Sequence, residues 1–566
     1  MPCWRSAKLA NDPCERPNIM KYQKYDLSGL WKFAFLPAPV TEFYPDKIEF
    51  NSFAPVPGCF DTLSEYALQR GTGVYCRKVY IGGSAALTLE GLGLRGKVYW
   101  DGTWLADIDG AFSARTIRFN AGMEQEHELV VAVNNEFEDT PAATFHRKYD
   151  FYAYGGIYRK VTIKEINEFD LEYLKVTPLD IEKGIVDVEF KLWGKTTDCT
   201  HAEVAFDNSS SSKTIELAAG MFRQQMQVAN PSIWSPDSPH LHKITVMVNG
   251  ISFTEEFGLR TVKVKNGEIY LNGKKLFLKG VNRHDSHPDF GYAVPLSIQA
   301  SDLLMIKAAG YNCIRGSHYP QSSDFLNMCD RLGMLVWEET LGWGNTEESL
   351  TDELFQQRQL HEAELMAVKS HNHPSVIMWG FLNECVSDVP SARLLIGKLA
   401  DSLRKIDPSR PVTFATCRPL NDCCLDLVDI ISINTYPGWY TMEFNQFFEP
   451  GAIDKTLAEL VEFTSTAKLA NKPLLISEIG AEATLGLRGG QRWSEDYQAD
   501  LQEYVMQYIM QHPRFSGVML WQYCDARTYI SYNSQWRANG FNRKGLVDEH
   551  RQPKEAWRRL SKLLNK

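Results

Sequence analysis

Two apolar runs that each lead to a glutamate constrain this chain more than any other feature. Residues 376–382 run into Glu384, and residues 473–476 run into Glu478. Apolar runs of this length between polar residues are typical of strands covered on both faces. Since a buried carboxylate without a partner is costly, each glutamate is either held in an ordinary salt bridge or used in chemistry. We predict that the two are used together.

Length, charge and cysteine content narrow the class of protein. At 566 residues the chain is too long for one core and should divide into about three or four domains. The formal charge of −10 disfavours nucleic acid as a partner, because phosphate binding needs a basic surface. No run approaches the roughly 18 apolar residues of a membrane span. The scattered cysteines predict reduced thiols, and residues 1–6 lack the character of a secretory leader, so we expect a cytoplasmic protein.

The first half of the chain is rich in strand signals. Residues 22–168 alternate short runs of Val, Tyr, Trp and Phe with turns marked by Gly and Pro, which predicts antiparallel sheets. Residues 171–258 alternate in the same way over a length that suits an immunoglobulin-like sandwich. We predict a jelly-roll β-sandwich over residues 1–168 and an immunoglobulin-like β-sandwich over residues 169–261.

After Arg260 the pattern changes to strand followed by helix, repeated eight times. Helical periodicity is visible at 298–309, 355–370, 392–406, 456–469 and 497–510. Such a repeat predicts a (β/α)8 barrel over residues 262–566, whose chemistry lies at the carboxyl ends of its strands. Glu384 follows the fourth strand and Glu478 the seventh, so both should face one opening. The eight predicted strands are 276–281, 311–315, 334–337, 376–382, 412–415, 430–433, 474–476 and 517–521.

Further polar and aromatic side chains follow the predicted strands and suit a sugar-binding pocket. Flat sugar faces pack on aromatic rings, while sugar hydroxyls need hydrogen-bond partners. Two carboxylates across a glycosidic bond are what its hydrolysis requires. The residues at the strand ends are Asn282, Arg283, His284 and Asp285, then Ser317, His318 and Tyr319, then Glu338 and Glu339, then Asn434, Thr435 and Tyr436, and finally Trp521.

Several of these stretches together resemble glycoside hydrolase family 2. They are residues 280–284, 317–320, 373–376, 383–384 and 477–478. The resemblance implies a retaining hydrolase without a cofactor, with Glu384 as acid/base, Glu478 as nucleophile and Asn383 at the sugar 2-hydroxyl. Retention implies carboxyl groups about 5 to 5.5 Å apart. Family members are commonly dimers or tetramers, which implies a homo-oligomer.

Within this family, the chain looks most like the β-glucuronidases. Asn542 and Lys544 resemble the Asn-x-Lys element that holds the substrate carboxylate of a glucuronide, where a cation is needed to pair a desolvated uronate. Asp150 resembles a sugar-binding Asp of the first domain. Arg527 is either a second cation near the uronate or a partner of Asp525. The remaining residues expected to contact the sugar are His318, Asn434, Tyr436, Tyr440 and Trp521.

Other substrates and functions stay open at this stage. A β-galacturonide differs from a β-glucuronide only at the 4-hydroxyl. Within residues 280–284, Asn282 is closer to the β-galactosidase version of the motif. A magnesium-binding His of the galactosidases is absent, because Leu341 stands at that position. No long insertion separates Trp343 from Phe355, which suggests an open cleft. The alternatives from other classes are a non-catalytic carbohydrate-binding protein and a metal hydrolase built on His284, His318, His371 and His373.

Overall fold

The computed structural model describes residues 24–38, 43–147, 149–207, 212–440, 447–529 and 537–566. The first part is an eight-stranded antiparallel sheet structure built around two long strands, Gly71–Leu89 and Arg115–Asn134, which pair along nearly their whole length. Their inward side chains form an apolar core with Trp31, Phe33 and Tyr75. The other strands are Lys24–Asp26, Gly29–Pro37, Ser52–Val56, Arg95–Trp100, Thr103–Asp109 and Val161–Ile166.

Two smaller sheets then pack face to face as the second sandwich. Strand Ile185–Gly194 shows why, since alternate residues are buried and its Val186, Val188 and Phe190 face the other sheet. One sheet holds Phe169–Asp180, Ile185–Gly194 and Met221–Gln227, and the other holds His201–Phe206, Lys213–Glu216, His242–Val248 and Ile251–Phe257.

The third part is a closed parallel barrel, as predicted. Its first and eighth strands pair, and the fifth strand closes the ring in two pieces on either side of Phe414. The strands are Leu278–Arg283, Cys313–Gly316, Leu335–Glu339, Val376–Gly380, Val412–Thr413 with Ala415–Thr416, Ile431–Asn434, Leu474–Ile479 and Phe515–Leu520. A three-stranded sheet of Val262–Lys265, Glu268–Leu271 and Lys274–Leu276 covers the lower end, where Ile269 and Leu271 join the barrel core.

Helices surround the barrel, and several begin at a capping side chain. The hydroxyl of Ser322 accepts the N–H of Phe325, and the carboxylate of Asp352 accepts that of Phe355. The helices are Leu296–Ala308, Ser323–Leu332, Glu347–Thr351, Glu353–Lys369, Ala392–Ile406, Gly451–Thr464, Glu495–Gln511 and Glu555–Leu564. None of the described helices is long and apolar enough to cross a membrane.

The limits of the first barrel strand need correction. This strand was predicted at 276–281 and lies at Leu278–Arg283, because Asn282 and Arg283 are buried inside it despite their polarity. Helix Ser323–Leu332, which the repeat implies after the second strand, is not among the helical stretches named from the sequence. It is short, and its buried face consists of Phe325, Leu326, Cys329 and Asp330.

Candidate active site

Arg315 lies at the centre of the polar network in the barrel mouth. Its guanidinium is fully buried on the second strand and stacks over Trp337, 4.5 Å from the ring centre. It donates to both carboxylate oxygens of Glu339, each at 3.0 Å. It also donates to Oε1 of Glu478 at 2.9 Å and to Oδ1 of Asn383 at 2.8 Å. One cation therefore ties residues from the third, fourth and seventh strands together.

Glu478 is held through both of its carboxylate oxygens. Oε1 accepts from Arg315, and Oε2 accepts from the Tyr436 hydroxyl at 2.6 Å. Burial, and then the negative charge of Glu384, raise the pKa of Glu478 to about 8, although Arg315 and Tyr436 oppose the shift. The two carboxylates are therefore electrostatically coupled.

Glu384 occupies a tight turn at the end of the fourth strand. Its backbone φ of 53° lies in the left-handed region, and its N–H donates to the Ala415 carbonyl at 2.8 Å. Nδ2 of Asn434 donates to its Oε1 at 2.8 Å. Burial raises the pKa of Glu384, opposed by Asn434 and by the positive charges of Arg315 and Arg418. With both pKa values raised, the pair holds a proton to higher pH than an isolated glutamate does.

Asn383 and Asn434 link the two glutamates. Asn434 donates to Oδ1 of Asn383 at 3.0 Å as well as to Glu384, and it accepts from the Ser477 hydroxyl at 2.7 Å. Because Oδ1 of Asn383 accepts from both Arg315 and Asn434, its amide orientation is fixed. Nδ2 of Asn383 is buried and has no hydrogen-bond partner among the described residues. That N–H group is available to a ligand hydroxyl.

His318 and Trp521 stack on each other beside the carboxylate network. The two rings stack at 5.3 Å with an angle of 11° between their planes. Nδ1 of His318 lies 2.7 Å from Oε1 of Glu339, and Nε2 lies 3.8 Å from Oε1 of Glu478. Burial lowers the pKa of His318 to about 4, so the imidazole is neutral at pH 7.

A second charged cluster lies on the other side of Tyr436. Nζ of Lys544 donates to the Tyr440 hydroxyl at 2.7 Å and to Oε1 of Glu482 at 3.1 Å. It also lies over the rings of Tyr436, Trp439 and Tyr440, at 5.8, 5.8 and 4.8 Å from their centres. Since the Tyr436 hydroxyl contacts Glu478, Lys544 is one aromatic ring away from the carboxylate pair.

Asp150 reaches this cluster from the jelly roll. It accepts from the Thr528 hydroxyl at 3.0 Å, from Nδ2 of Asn542 at 3.0 Å and from Nε of Arg537 at 2.9 Å. Arg537 also forms an ion pair with Glu482. The cluster thus contains two cations, Arg537 and Lys544, and two carboxylates, Asp150 and Glu482. Neither Arg537 nor Glu482 was predicted from the sequence.

Arg527 lies outside this cluster. Its guanidinium packs over Phe541, 5.0 Å from the ring centre, and in the described part of the chain it forms no ion pair. Asp525, one of its two expected partners, is instead paired with Lys554 and Arg543. The predicted pairing of Arg527 with Asp525 is therefore wrong, its place near a uronate stays a prediction, and Arg537 is the second cation of this cluster.

The four histidines considered for a metal hydrolase do not form one group. His284 and His318 line the barrel mouth, with their rings 5.8 Å apart. His371 contacts the Thr177 hydroxyl of the second sandwich, and His373 contacts Asp330. Each of the latter two has a structural partner of its own.

Comparisons with known proteins agree with this geometry. The family description "Glycosyl hydrolases family 2, TIM barrel domain" matches residues 262–566, and "Glycosyl hydrolases family 2" matches residues 170–260. The chain belongs to glycoside hydrolase family 2. It is a glycoside hydrolase of β-glucuronidase type, which confirms the predicted family, fold class and enzyme class.

Relatives of known name are similar over most of the chain. A β-glucuronidase of Paenibacillus borealis is 25% identical, with 94% of this chain and 96% of the relative covered. A β-glucuronidase of Sus scrofa is 28% identical over 72% of this chain and 63% of its own length. Among solved structures, a family 2 β-galacturonidase of Eisenbergiella tayi bound to galacturonate is 31% identical, with a TM-score of 0.87 and coverage of 96% and 97%. The Faecalibacterium prausnitzii β-glucuronidase, at 24% identity and a TM-score of 0.85 over 98% of both chains, supports the fold.

Proposed function

We propose that this family 2 hydrolase releases terminal β-D-uronic acids, with β-D-glucuronides as the first candidate substrates, by a retaining double displacement. The observation that carries the proposal is the position of Lys544. It is 1% exposed and lies one tyrosine ring from Glu478. A buried ammonium group beside a sugar-cleaving carboxylate pair is suited to a substrate that brings its own carboxylate.

The uronate would bind between Lys544 and Asn542. The ammonium group of Lys544 has three N–H donors, of which Tyr440 and Glu482 accept two. Nδ2 of Asn542 donates one N–H to Asp150 and keeps another. These two remaining donors suit the two oxygens of one carboxylate. The exposed ring of Tyr440 lies at the rim and would contact the sugar.

The first chemical step uses both glutamates. Glu478 attacks the anomeric carbon, while protonated Glu384 gives its proton to the departing glycosidic oxygen, so that the aglycone leaves and a glycosyl ester forms. Glu384 then removes a proton from water, which attacks the anomeric carbon and releases Glu478. Two inversions at that carbon give net retention.

Hydrogen bonds favour the proton on Glu384. Both oxygens of Glu478 accept bonds, from Arg315 and Tyr436, which stabilises the carboxylate form. Glu384 accepts one bond, from Asn434. Burial and the charge of Glu384 raise the pKa of Glu478 as well, so we expect the two groups to titrate as a coupled pair that shares one proton at neutral pH.

The neutral amide of Asn383 completes the site. Its unpaired Nδ2 group would donate to the sugar 2-hydroxyl, a contact that strengthens in an oxocarbenium-like transition state. His318 and Trp521 would pack against the sugar ring on one side. Self-association into a dimer or tetramer stays a prediction, as do the domain limits at 168/169 and 261/262.

A β-D-galacturonide is the second candidate substrate. The solved relative with 31% identity over nearly the whole chain is a β-galacturonidase bound to galacturonate. Glucuronate and galacturonate carry the same carboxylate, so the contact with Lys544 does not distinguish them. The enzyme would have to distinguish the two sugars through groups that contact the 4-hydroxyl.

A panel of nitrophenyl β-glycosides tests the proposal. We expect kcat/KM for the glucuronide or the galacturonide to exceed that for the galactoside and the glucoside by at least about a hundredfold, since those neutral sugars leave the remaining N–H donors of Lys544 and Asn542 without a carboxylate. Proton NMR of the first product should show the β-anomer. A neutral glycoside as the best substrate, or the α-anomer as the first product, would contradict the proposal.

A further inference from the structure

Two histidines and an aspartate come together away from the carboxylate pair. His287 and Asp289 lie in the loop after the first barrel strand, and His550 lies in the turn before the last helix. One potential ligand atom from each lies within 4.8 Å of the others, and among the described residues this is the one group of three such side chains. The imidazole rings are 5.9 Å apart at 74°, and Oδ2 of Asp289 is 3.7 Å from Nδ1 of His287.

The loop that carries His287 and Asp289 is fixed by its backbone. His287 and Gly291 exchange two backbone hydrogen bonds, of 2.9 and 2.8 Å, which close the intervening residues into a tight turn. Within that turn the N–H of Asp289 points at Nδ1 of His287 at 3.2 Å. The backbone of the turn and the ring of His287 are therefore held by local structure.

The turn that carries His550 is equally constrained. The Asp548 carboxylate accepts the N–H groups of His550 and Gln552, at 2.9 and 2.7 Å, and the Asp548 N–H donates to the Gln552 carbonyl at 3.0 Å. Such preorganisation lowers the cost of collecting ligands around an ion.

Arg551 joins the loop to the turn. It donates to the Ser286 carbonyl at 3.0 Å and to the two oxygens of Asp302 at 3.2 and 3.3 Å. The two segments are thus held together without help from the histidines. Because Asp302 balances the charge of Arg551, the nearby guanidinium repels a bound cation less than a free one would.

The charge of Asp289 suits a ligand for a cation. Asp289 is exposed and contributes a negative charge.

We propose that His287, Asp289 and His550 bind one divalent transition-metal ion, for which Zn²⁺ is the best match. Two imidazoles and one carboxylate are a common zinc donor set, and a fourth position stays open for water. The ion would fasten the loop to the turn. The same loop continues to Tyr292, whose hydroxyl donates to the Tyr152 carbonyl of the jelly roll at 2.7 Å, so the ion would also stabilise the contact between sandwich and barrel.

Calorimetric titration of the metal-free full chain with zinc chloride tests this site. We expect His550→Ala to weaken binding of one Zn²⁺ per chain by at least about tenfold, because loss of a ligand should cost no less than loss of an outer-shell partner. Asp289→Asn should weaken it as well. The matched control is His201→Ala, which removes an exposed histidine of the second sandwich and should bind as wild type does. Exposed Cys417 is another possible zinc ligand. Zinc bound there would be the same in all variants, so the differences between variants report on the proposed site.

Thermal unfolding supplies a second measurement. Zinc should raise the Tm of the wild type and of His201→Ala, and the rise should be smaller in His550→Ala and Asp289→Asn. Without zinc, all four proteins should cleave the nitrophenyl uronide at the same rate, which separates this site from the proposed catalysis and shows that the variants fold. Equal zinc affinity, stoichiometry and Tm response in wild type, His550→Ala and Asp289→Asn would overturn the proposal.

Discussion

Two clusters of buried charge face the same barrel opening, and their charges are balanced in different ways. Around the carboxylate pair, Arg315 is the one cation among the described residues in direct contact with Glu478, and it is shared with Glu339. Around Lys544, each cation has a carboxylate: Arg537 pairs with Asp150 and Glu482, and Lys544 also pairs with Glu482. The first cluster carries an excess of negative charge, and the second is balanced.

This difference matches two different tasks. Burial raises the pKa values of Glu384 and Glu478, and the charge of Glu384 adds to the shift of Glu478, which would keep a transferable proton in the pair. A balanced cluster holds its donors in fixed positions and has no excess charge that must be neutralised. Tyr436 connects the two, since its hydroxyl bonds to Glu478 and its ring lies against Lys544. We therefore expect substitutions in the first cluster to affect every substrate and those in the second to affect uronides most.

The largest expected effect comes from Glu478→Ala. Removal of the nucleophile should lower kcat for a nitrophenyl uronide by at least about a thousandfold, or about 4 kcal/mol in barrier. The matched comparison is Glu482→Gln, which alters an equally buried carboxylate in the second cluster and should leave cleavage of a neutral glycoside nearly unchanged. A Glu478→Ala enzyme within tenfold of wild type would show that this glutamate is not the nucleophile.

Lys544→Ala should have the next largest effect. Loss of the cation that pairs with a desolvated carboxylate should reduce kcat/KM for the uronide about a hundredfold, and for the neutral glucoside much less. Arg543→Ala is the control, because Arg543 is the adjacent cation but pairs with Asp525 and Glu549. Equal losses on both substrates in Lys544→Ala would remove the distinction between the two clusters.

Arg537→Lys is a further test of the second cluster. Lysine keeps the charge but cannot contact Asp150 through two nitrogen atoms as arginine does, so we expect the ratio of uronide to glucoside kcat/KM to fall about tenfold. Arg527→Lys, which changes the cation stacked on Phe541, should leave that ratio unchanged. If the two variants exchanged these outcomes, Arg527 would be the second cation after all.

The smallest expected effect is the change of kcat/KM with pH. Because the raised pKa of Glu478 is about 8 and the glutamates titrate as a pair, the pair should lose its last proton near that pH. Above it no acid is available, so kcat/KM should fall tenfold per unit. It should also fall at low pH, when Glu478 becomes protonated. A rate that stays constant from pH 7 to pH 10 would mean that the pair does not supply the proton.

Much of this arrangement was visible in the sequence, and the exceptions have physical causes. The apolar barrel strands and the glutamates that follow them are local patterns, so they were predicted well. Asn282 broke the pattern of the first strand because its amide donates to the carbonyls of Ser477, Met519 and Leu520, which compensates its burial. Hydropathy gives no sign of such partners on distant strands.

The second cluster was only partly predictable for the same reason. Asn542 and Lys544 form a short motif, whereas Arg537 and Glu482 are 55 positions apart and come together only in the folded chain. Neither belongs to an apolar run, so no periodic pattern marks them. Arg527 is close to the eighth strand in sequence, which made it the more obvious candidate, but its side chain packs on Phe541 instead.

Trapping of the glycosyl ester tests the central claim most directly. A 2-deoxy-2-fluoro-β-D-uronosyl fluoride should inactivate the enzyme, because the 2-fluorine slows both displacements while the good fluoride leaving group speeds only formation of the ester. Mass spectrometry of the digested protein should then find one fluorouronosyl group on the peptide that contains Glu478, and Lys544→Ala should be labelled much more slowly. A label on any other residue, or inactivation that is equally fast with the neutral fluoroglucosyl reagent, would contradict the account.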